Sequence, residues 1–196
     1  MTTDNYRKHT SNNPIQKLFI NNFYKVFLDV IKPLEVESIL DVGCGEGFTL
    51  EKLYQNKVGK ILEGIDYSST AVKLGKKQNK KLVLKQGDIY ELPYKANSFD
   101  IVLCMEVLEH LEDPEKALKE LKRVSKKYIL LSVPNEPIFT LANLIRGKNL
   151  TRWGNDIEHI QHWTSFSFEQ FVAGDGFEKT KKRLPFPWIM LLLEKQ

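Results

Sequence analysis

Between residues 38 and 133, short β-rich runs alternate with segments of helical periodicity, and this alternation narrows the fold more than any other feature. The runs are Ser38–Val42, Lys60–Ile65, Leu82–Lys85, Phe99–Cys104 and Tyr128–Val133. Candidate helices lie between them at Phe48–Gln55, Ser69–Asn79, Glu106–Leu111 and Pro114–Ser125. Strands that alternate with helices build an α/β protein with a mostly parallel sheet. The last helix has good starting signals, with Asp113 as N-cap and Pro114 at its first position. Glu115 and Lys119 add an i,i+4 pair on its wet face. A chain of 196 residues suits one domain and can bury a core without metal or disulfide staples.

Two segments fall outside this core. Residues 14–32 begin at Asn13-Pro14 and set Ile15, Leu18, Phe19, Phe23, Val26, Phe27 and Val30 on one helical stripe. Such a stripe fits a capping helix packed on the domain, and also a lid or a membrane-facing helix. Lys17, Lys25 and Lys32 are few charges for a membrane-surface helix. Residues 134–164 read as an insertion lining one side of the sheet's crevice: a short helix near Ile138–Arg146, then a polar loop rich in His and Trp. A helix at Ser165–Ala173 follows. Phe177–Leu184 and Trp188–Leu193 then form a terminal antiparallel pair around Pro185-Phe186-Pro187.

With 42% hydrophobic and 28% charged residues, a disordered chain or a fibre is excluded. The net charge of +4 permits an anionic partner without demanding one. Cys44 and Cys104 show no disulfide or zinc spacing. Met1 to Asn13 is polar, and the longest apolar run, Trp188–Leu193, is too short to span a bilayer, which needs about 20 residues. The expectation is a cytoplasmic protein.

The strongest local signal is Ile39-Leu40-Asp41-Val42-Gly43-Cys44-Gly45-Glu46-Gly47, where a strand ends and a helix begins. Glycines here let the chain turn tightly and let a ligand approach the backbone. The carboxyl end of the strands is where open α/β sheets bind ligands. Asp66 ends the next strand, 21 residues after Gly45, placed to accept hydrogen bonds from ribose hydroxyls. The third glycine falls one position early for a dinucleotide fingerprint, and the preceding Asp41 suits a ligand with an ammonium group better than a pyrophosphate.

On these residues the sequence resembles the class I S-adenosylmethionine-dependent methyltransferases, with a match extending over most of the chain. Gln86-Gly87-Asp88-Ile89 resembles the family's third-strand motif, and Phe99-Asp100-Ile101-Val102 opens the fourth. The resemblance implies a Rossmann-like, seven-stranded sheet of order 3-2-1-4-5-7-6 with the last strand antiparallel. It also implies S-adenosylmethionine as cofactor, with Asp41, Gly43 and Gly45 near its methionine part and Asp66 on the ribose. Asp88 and the Ile89 amide would hold the adenine, and Met105 would lie beside the cofactor. That ligand carries no phosphate, and the loop accordingly has no basic clamp.

After the fourth strand comes Met105-Glu106-Val107-Leu108-Glu109-His110. On a helix Glu106, Glu109 and His110 share a face, a donor set that suits a divalent cation such as Mg2+ or Mn2+. The pattern E-x-x-E-H is similar to that of ubiquinone-biosynthesis O-methyltransferases and of small-RNA 3′-terminal 2′-O-methyltransferases, whose metal takes a further downstream His. His159 fits that place better than His162. A cation there would lower an acceptor hydroxyl's pKa, with His110 or His159 as base. The competing reading is structural, with Glu106 merely favourable at a helix start.

Cys104 lacks an adjacent Pro and reads as core. Ser132–Asn135 ends the fifth strand beside the crevice or forms a plain turn. Trp153 and Trp163 offer stacking surfaces for an acceptor or pack the insertion. The lysines between Lys73 and Lys85 read as a solvated face, because the aromatics needed to stack bases are missing. The expected function is O-methylation of a small-molecule acceptor. RNA methylation and a non-catalytic S-adenosylmethionine sensor stand as alternatives.

Overall fold

The computed structural model describes residues 3–145 and 159–196. In chain order the elements are α1 (Asp4–Thr10), α2 (Pro14–Ile31), β1 (Ser38–Val42), α3 (Phe48–Gln55), β2 (Ile61–Asp66), α4 (Ser69–Gln78), β3 (Val83–Gln86) and β4 (Phe99–Met105). They continue with α5 (Pro114–Val124), β5 (Ser125–Pro134), α6 (Ile138–Ile145), α7 (Ser165–Val172), β6 (Phe177–Arg183) and β7 (Trp188–Lys195). All seven strands form one sheet of order β3-β2-β1-β4-β5-β7-β6. The first five run parallel, and β7 pairs antiparallel to both β5 and β6. That is the order and direction the family resemblance implies.

Strand alternation sorts the core into two layers. Leu40, Val42, Val102, Cys104, Ile129 and Leu131 point to one face, covered by Leu118 and Leu121 of α5 and Phe168 of α7. Ile39, Ile101, Leu103 and Leu130 point to the other, covered by Phe23, Phe27 and Ile31 of α2 and Leu50 and Leu53 of α3. Phe27 and Phe168 are fully buried, each contributing about 1.5–3 kcal/mol of transfer free energy. Because β1 hydrogen-bonds to β2 on one side and β4 on the other, connections leave in opposite directions there. A crevice opens at its carboxyl end.

Three expectations need correction. Helix α1 carries no apolar periodicity and was not foreseen. Ile15 and Leu18, assigned to the packed stripe of α2, are exposed, while Tyr24 is buried. Glu106–Leu111 is not an α-helix. The Glu106 amide donates to the Ser132 carbonyl (3.0 Å), prolonging the β4–β5 ladder. Glu106 then turns at φ +59° into a short 3-10 turn at Leu108–His110. Asp113, before Pro114, is held out of the helical region (φ −124°, ψ 74°), so too few residues remain to nucleate a helix. Of the insertion, α6 and residues from His159 onward are described; Arg146, Trp153 and Glu158 lie outside the described residues.

Gly75 gives a sharp test of how closely α4 packs on the glycine loop. A Cβ there would meet the Glu46 carbonyl oxygen at 2.4 Å, a backbone atom that cannot step aside. Gly75→Ala should therefore lower unfolding stability by about 1–3 kcal/mol despite the gain of about 1 kcal/mol in helix propensity. Urea denaturation would measure it.

Candidate functional site

The crevice is a single cleft of about 1390 Å³ running across the carboxyl ends of the strands from Asp88 to His159. Its cofactor-like half is built by the loop after β1. The Gly43 and Cys44 amides both donate to the Ile65 carbonyl, at 2.8 and 3.1 Å, so the loop folds back over the end of β2. The Gly45 amide donates to Asp66 Oδ2 (2.7 Å), and Ser68 donates to Oδ1 (2.7 Å). Gly43 and Gly45 need positive φ, +76° and +54°. A Cβ on Gly43 would meet Val107 Cγ2 at 2.3 Å.

Asp41, Gly43, Gly45, Asp66, Asp88, Ile89 and Met105 all line this cleft, so the structure brings together every residue expected on the cofactor side. Asp88 Oδ1 accepts the Tyr90 amide (2.9 Å), holding the loop after β3. Asp41 is 2% exposed. Burial, with the Asp66 charge adding to it, pushes its carboxyl up to about 7.

Helix α1 supplies residues that the sequence reading missed. Thr3 and Asn5 hydrogen-bond the buried Glu46 carboxylate, the latter at 2.7 Å. His9 stacks on Phe48 with ring centroids 4.4 Å apart; burial, with the Lys8 and Lys52 charges, holds its pKa down at about 3. Asn5, Lys8 and His9 thereby line the cleft. The anchors lie some forty residues away, so no local pattern could reveal them. Trp188 also lines the cleft, with the Lys8 ammonium 5.3 Å from its ring centroid.

At the other end the 3-10 turn presents Glu109 and His110. The Glu109 carbonyl accepts the Ile160 and Gln161 amides, at 2.8 and 2.9 Å, and this clip carries His159 to the turn. One ligand atom from each of Glu109, His110 and His159 lies within 4.8 Å of the others. The His110 and His159 rings stand 5.1 Å apart. Glu109 is 1% exposed, and neither carboxylate oxygen has a hydrogen-bond partner; nor does His159 Nδ1. Burial pushes the Glu109 carboxyl far up, and the neighbouring Glu106 adds to it. Glu106 stands outside this cluster: its Oε1 accepts from Ser132 Oγ (2.9 Å), and it lines the cleft nearer Met105.

The remaining candidates separate cleanly. Trp163 packs against Phe168 and Phe171, at 5.3 Å from each ring, inside the core. Cys104 is fully buried. Among the lysines near α4, Lys76, Lys80 and Lys85 border a shallow depression with Leu82, Val83 and Leu84, away from the cleft.

Residues 40–130 match the family described as a methyltransferase domain. A ubiquinone biosynthesis O-methyltransferase of Coxiella burnetii is 31% identical over 147 residues, covering 61% of this chain and 62% of that protein. The chain thus spans about three fifths of that relative's length. Among solved structures, the PH0226 protein of Pyrococcus horikoshii has a TM-score of 0.74 at 16% identity, covering both chains completely. The magnesium protoporphyrin IX methyltransferase of Synechocystis, solved with bound S-adenosylhomocysteine (SAH), has a TM-score of 0.71 at 16% identity. It covers 97% of this chain and 92% of its own. These likenesses give the chain the class I methyltransferase fold. No helix among the described residues is long and apolar enough to cross a membrane.

The raised value of Asp41 predicts a pH signature. Between its ordinary value of 3.8 and about 7, the folded state holds a proton that the unfolded chain has released. Stability therefore falls as pH rises across that window and levels off above it. Asp41→Asn should remove this component. Its melting temperature without ligand should exceed the wild type's by several degrees at pH 8 and match it near pH 4.

Proposed function

With a methyltransferase domain over residues 40–130 and a cleft lined by both sets of candidate residues, we propose that the chain transfers a methyl group from S-adenosylmethionine to a hydroxyl oxygen of a small molecule. The observation that carries this reading is the placement of a buried carboxylate without a hydrogen bond, Glu109, beside His110 and His159, in the cleft that also holds Asp66 and Asp88.

The residues fit the cofactor. Asp66 already receives one backbone N–H on each oxygen, which leaves a lone pair on each for a ribose hydroxyl. Gly43 and Gly45 leave the loop backbone bare, and Asp41 offers a buried carboxyl for an ammonium group. Asp88 and the Ile89 amide would take the adenine, with Met105 beside the cofactor. S-adenosylmethionine supplies an already electrophilic methyl group on its sulfonium, so the protein's work is alignment, exclusion of water and removal of a proton.

Glu109, His110 and His159 also fit a divalent cation, Mg2+ or Mn2+, because both Glu109 oxygens and His159 Nδ1 are buried without a hydrogen bond, their nearest charged neighbours being His110 Nε2 and Glu136 Oε1, each at 3.9 Å. Such an ion would supply Lewis acidity to an acceptor oxygen. His110, exposed at the cleft, or His159 takes the acceptor's proton when it is not itself a ligand of the ion. Phe139, packed 5.1 Å from the His159 ring, and Trp188 close the acceptor end with apolar surface.

Calorimetry with SAH, on chelator-treated protein and again with Mn2+, tests both halves. Asp66→Ala should weaken nucleoside binding by about 30-fold or more, the loss of charge-assisted hydrogen bonds. Glu109→Gln should leave that affinity within about threefold and abolish the Mn2+ heat, while turnover of a catechol falls by about 100-fold or more. Absence of nucleoside binding in the wild type would sink the whole reading. Full activity of Glu109→Gln in chelator would sink its acceptor half.

A further inference from the structure

One face of the molecule beside the cleft is both apolar and basic. Phe19 of α2 packs edge-on against Phe186 in the β6–β7 turn, ring centroids 5.3 Å apart, which joins two segments distant in sequence. Around this contact Leu18 is 65% exposed, Leu184 54%, Ile15 47% and Phe186 45%. Isolated exposed apolar residues are ordinary, but four large ones around a single contact form a patch of the kind that docks something.

The charge on the same segments says what it docks. Residues 5–28 contain Arg7, Lys8, Lys17 and Lys25 and no Asp or Glu. Residues 179–193 contain Lys179, Lys181, Lys182 and Arg183, again with no acid. Glu169 pairs with Lys179 and, at 2.5 Å, with Lys182. Among the described residues, Lys17, Lys181 and Arg183 have no carboxylate within ion-pair distance. Alone, α2 has too few charges for an interfacial helix; Lys181 and Arg183 of β6, opposite Leu192 and Met190, add to it on the sheet face that α2 covers, while Lys179 and Lys182 face α7.

We propose that this face, formed by the first half of α2 and the β6–β7 turn, docks onto an anionic lipid surface. Large apolar side chains that enter the headgroup layer, with the unpaired cations of Lys17, Lys181 and Arg183 on the same two segments, are the complement of a negatively charged bilayer. The geometry also gives the docking a use, because Phe19, Ile20 and Phe23 of α2 line the cleft. A molecule with an apolar portion could then pass between the bilayer and the cleft without crossing water. The proposal goes beyond the methyl-transfer reading and is tested without measuring turnover.

The test is flotation of the full chain with phosphatidylcholine vesicles, with and without about 30% phosphatidylglycerol. Wild type should float with the anionic vesicles only, and less at high salt. Leu18→Asp with Leu184→Asp, at two exposed positions, should lower the bound fraction about tenfold or more, since each loses the insertion of a Leu side chain and adds a repelled charge. Melting temperature checks that this variant folds. Lys76→Glu with Lys80→Glu, on the opposite basic cluster, should float like wild type. Three results would overturn the proposal: no flotation above the neutral control, flotation indifferent to the Leu18/Leu184 change, or a wild-type dimer in sedimentation that the variant cannot form.

Discussion

Two amides from one loop, those of Gly43 and Cys44, meet at a single carbonyl, that of Ile65. This junction ties the end of β1 to the end of β2 at the place where the strand order reverses. Gly45 then reaches Asp66, Glu46 becomes the anchor for α1, and Phe48 begins α3 with its ring under His9. The positive φ angles of the glycines are the condition for this path, because the loop must reverse within a few residues while passing under Val107. A side chain at Gly43 would have to occupy the space of Val107, which would displace the turn carrying Glu109 and His110. The two halves of the cleft are therefore mechanically connected through one missing Cβ.

Glu106 shows how the sheet, and not local helical preference, shapes the acceptor end. Its amide is captured by the β4–β5 ladder and its carboxylate by Ser132, and it adopts a left-handed backbone that a non-glycine residue rarely takes. Conformations of this kind cost of order 1–3 kcal/mol and persist where surrounding contacts over-determine them. The consequence is to throw Glu109 inward and His110 toward the opening, while the Glu109 carbonyl holds the chain after residue 159 by two hydrogen bonds. A regular helix would have put Glu106, Glu109 and His110 on one stripe. The observed turn instead leaves Glu106 out and keeps Glu109 and His110 with His159, the downstream residue expected to complete the set.

The parts of the molecule that the sequence made legible are those governed by short-range rules. Strand alternation, the Asp113-Pro114 start of α5 and the spacing of Gly45 to Asp66 are each decided within a few residues or by one strand-loop-helix unit, and the structure agrees with them. The placement of Asp41, Gly43, Gly45, Asp66 and Asp88 along one cleft was readable because that half is built from backbone turns that demand glycine and from acids at strand ends. What escaped was decided at a distance. Helix α1 depends on Glu46 and Phe48, the exposure of Leu18 depends on where α2 ends its contact with the sheet, and Trp188 enters the cleft only because β7 returns beside β5. The Glu106 helix failed for the same reason: the competing ladder partner, Ser132, lies 26 residues away.

Electrostatics then unify the two ends. Asp41 and Glu109 are both almost fully buried, and burial raises both carboxyls, so a cation that compensates the lost hydration favours the ionised form of each. Each end thus favours a positively charged visitor: an ammonium group near Asp41 and a metal ion near Glu109 under the function proposed above. Among the described residues Lys8 is the one lysine lining the cleft, and it sits on the Trp188 ring without forming an ion pair with either carboxylate. Its charge eases the ionisation of Glu106 and of Glu109, while leaving the oxygens of Glu109 without a hydrogen bond. A cleft arranged in this way stores the desolvation cost of its acids in the folded chain and recovers it when cationic ligands bind. Affinity for those ligands and stability of the empty protein are consequently set against each other at the same two residues.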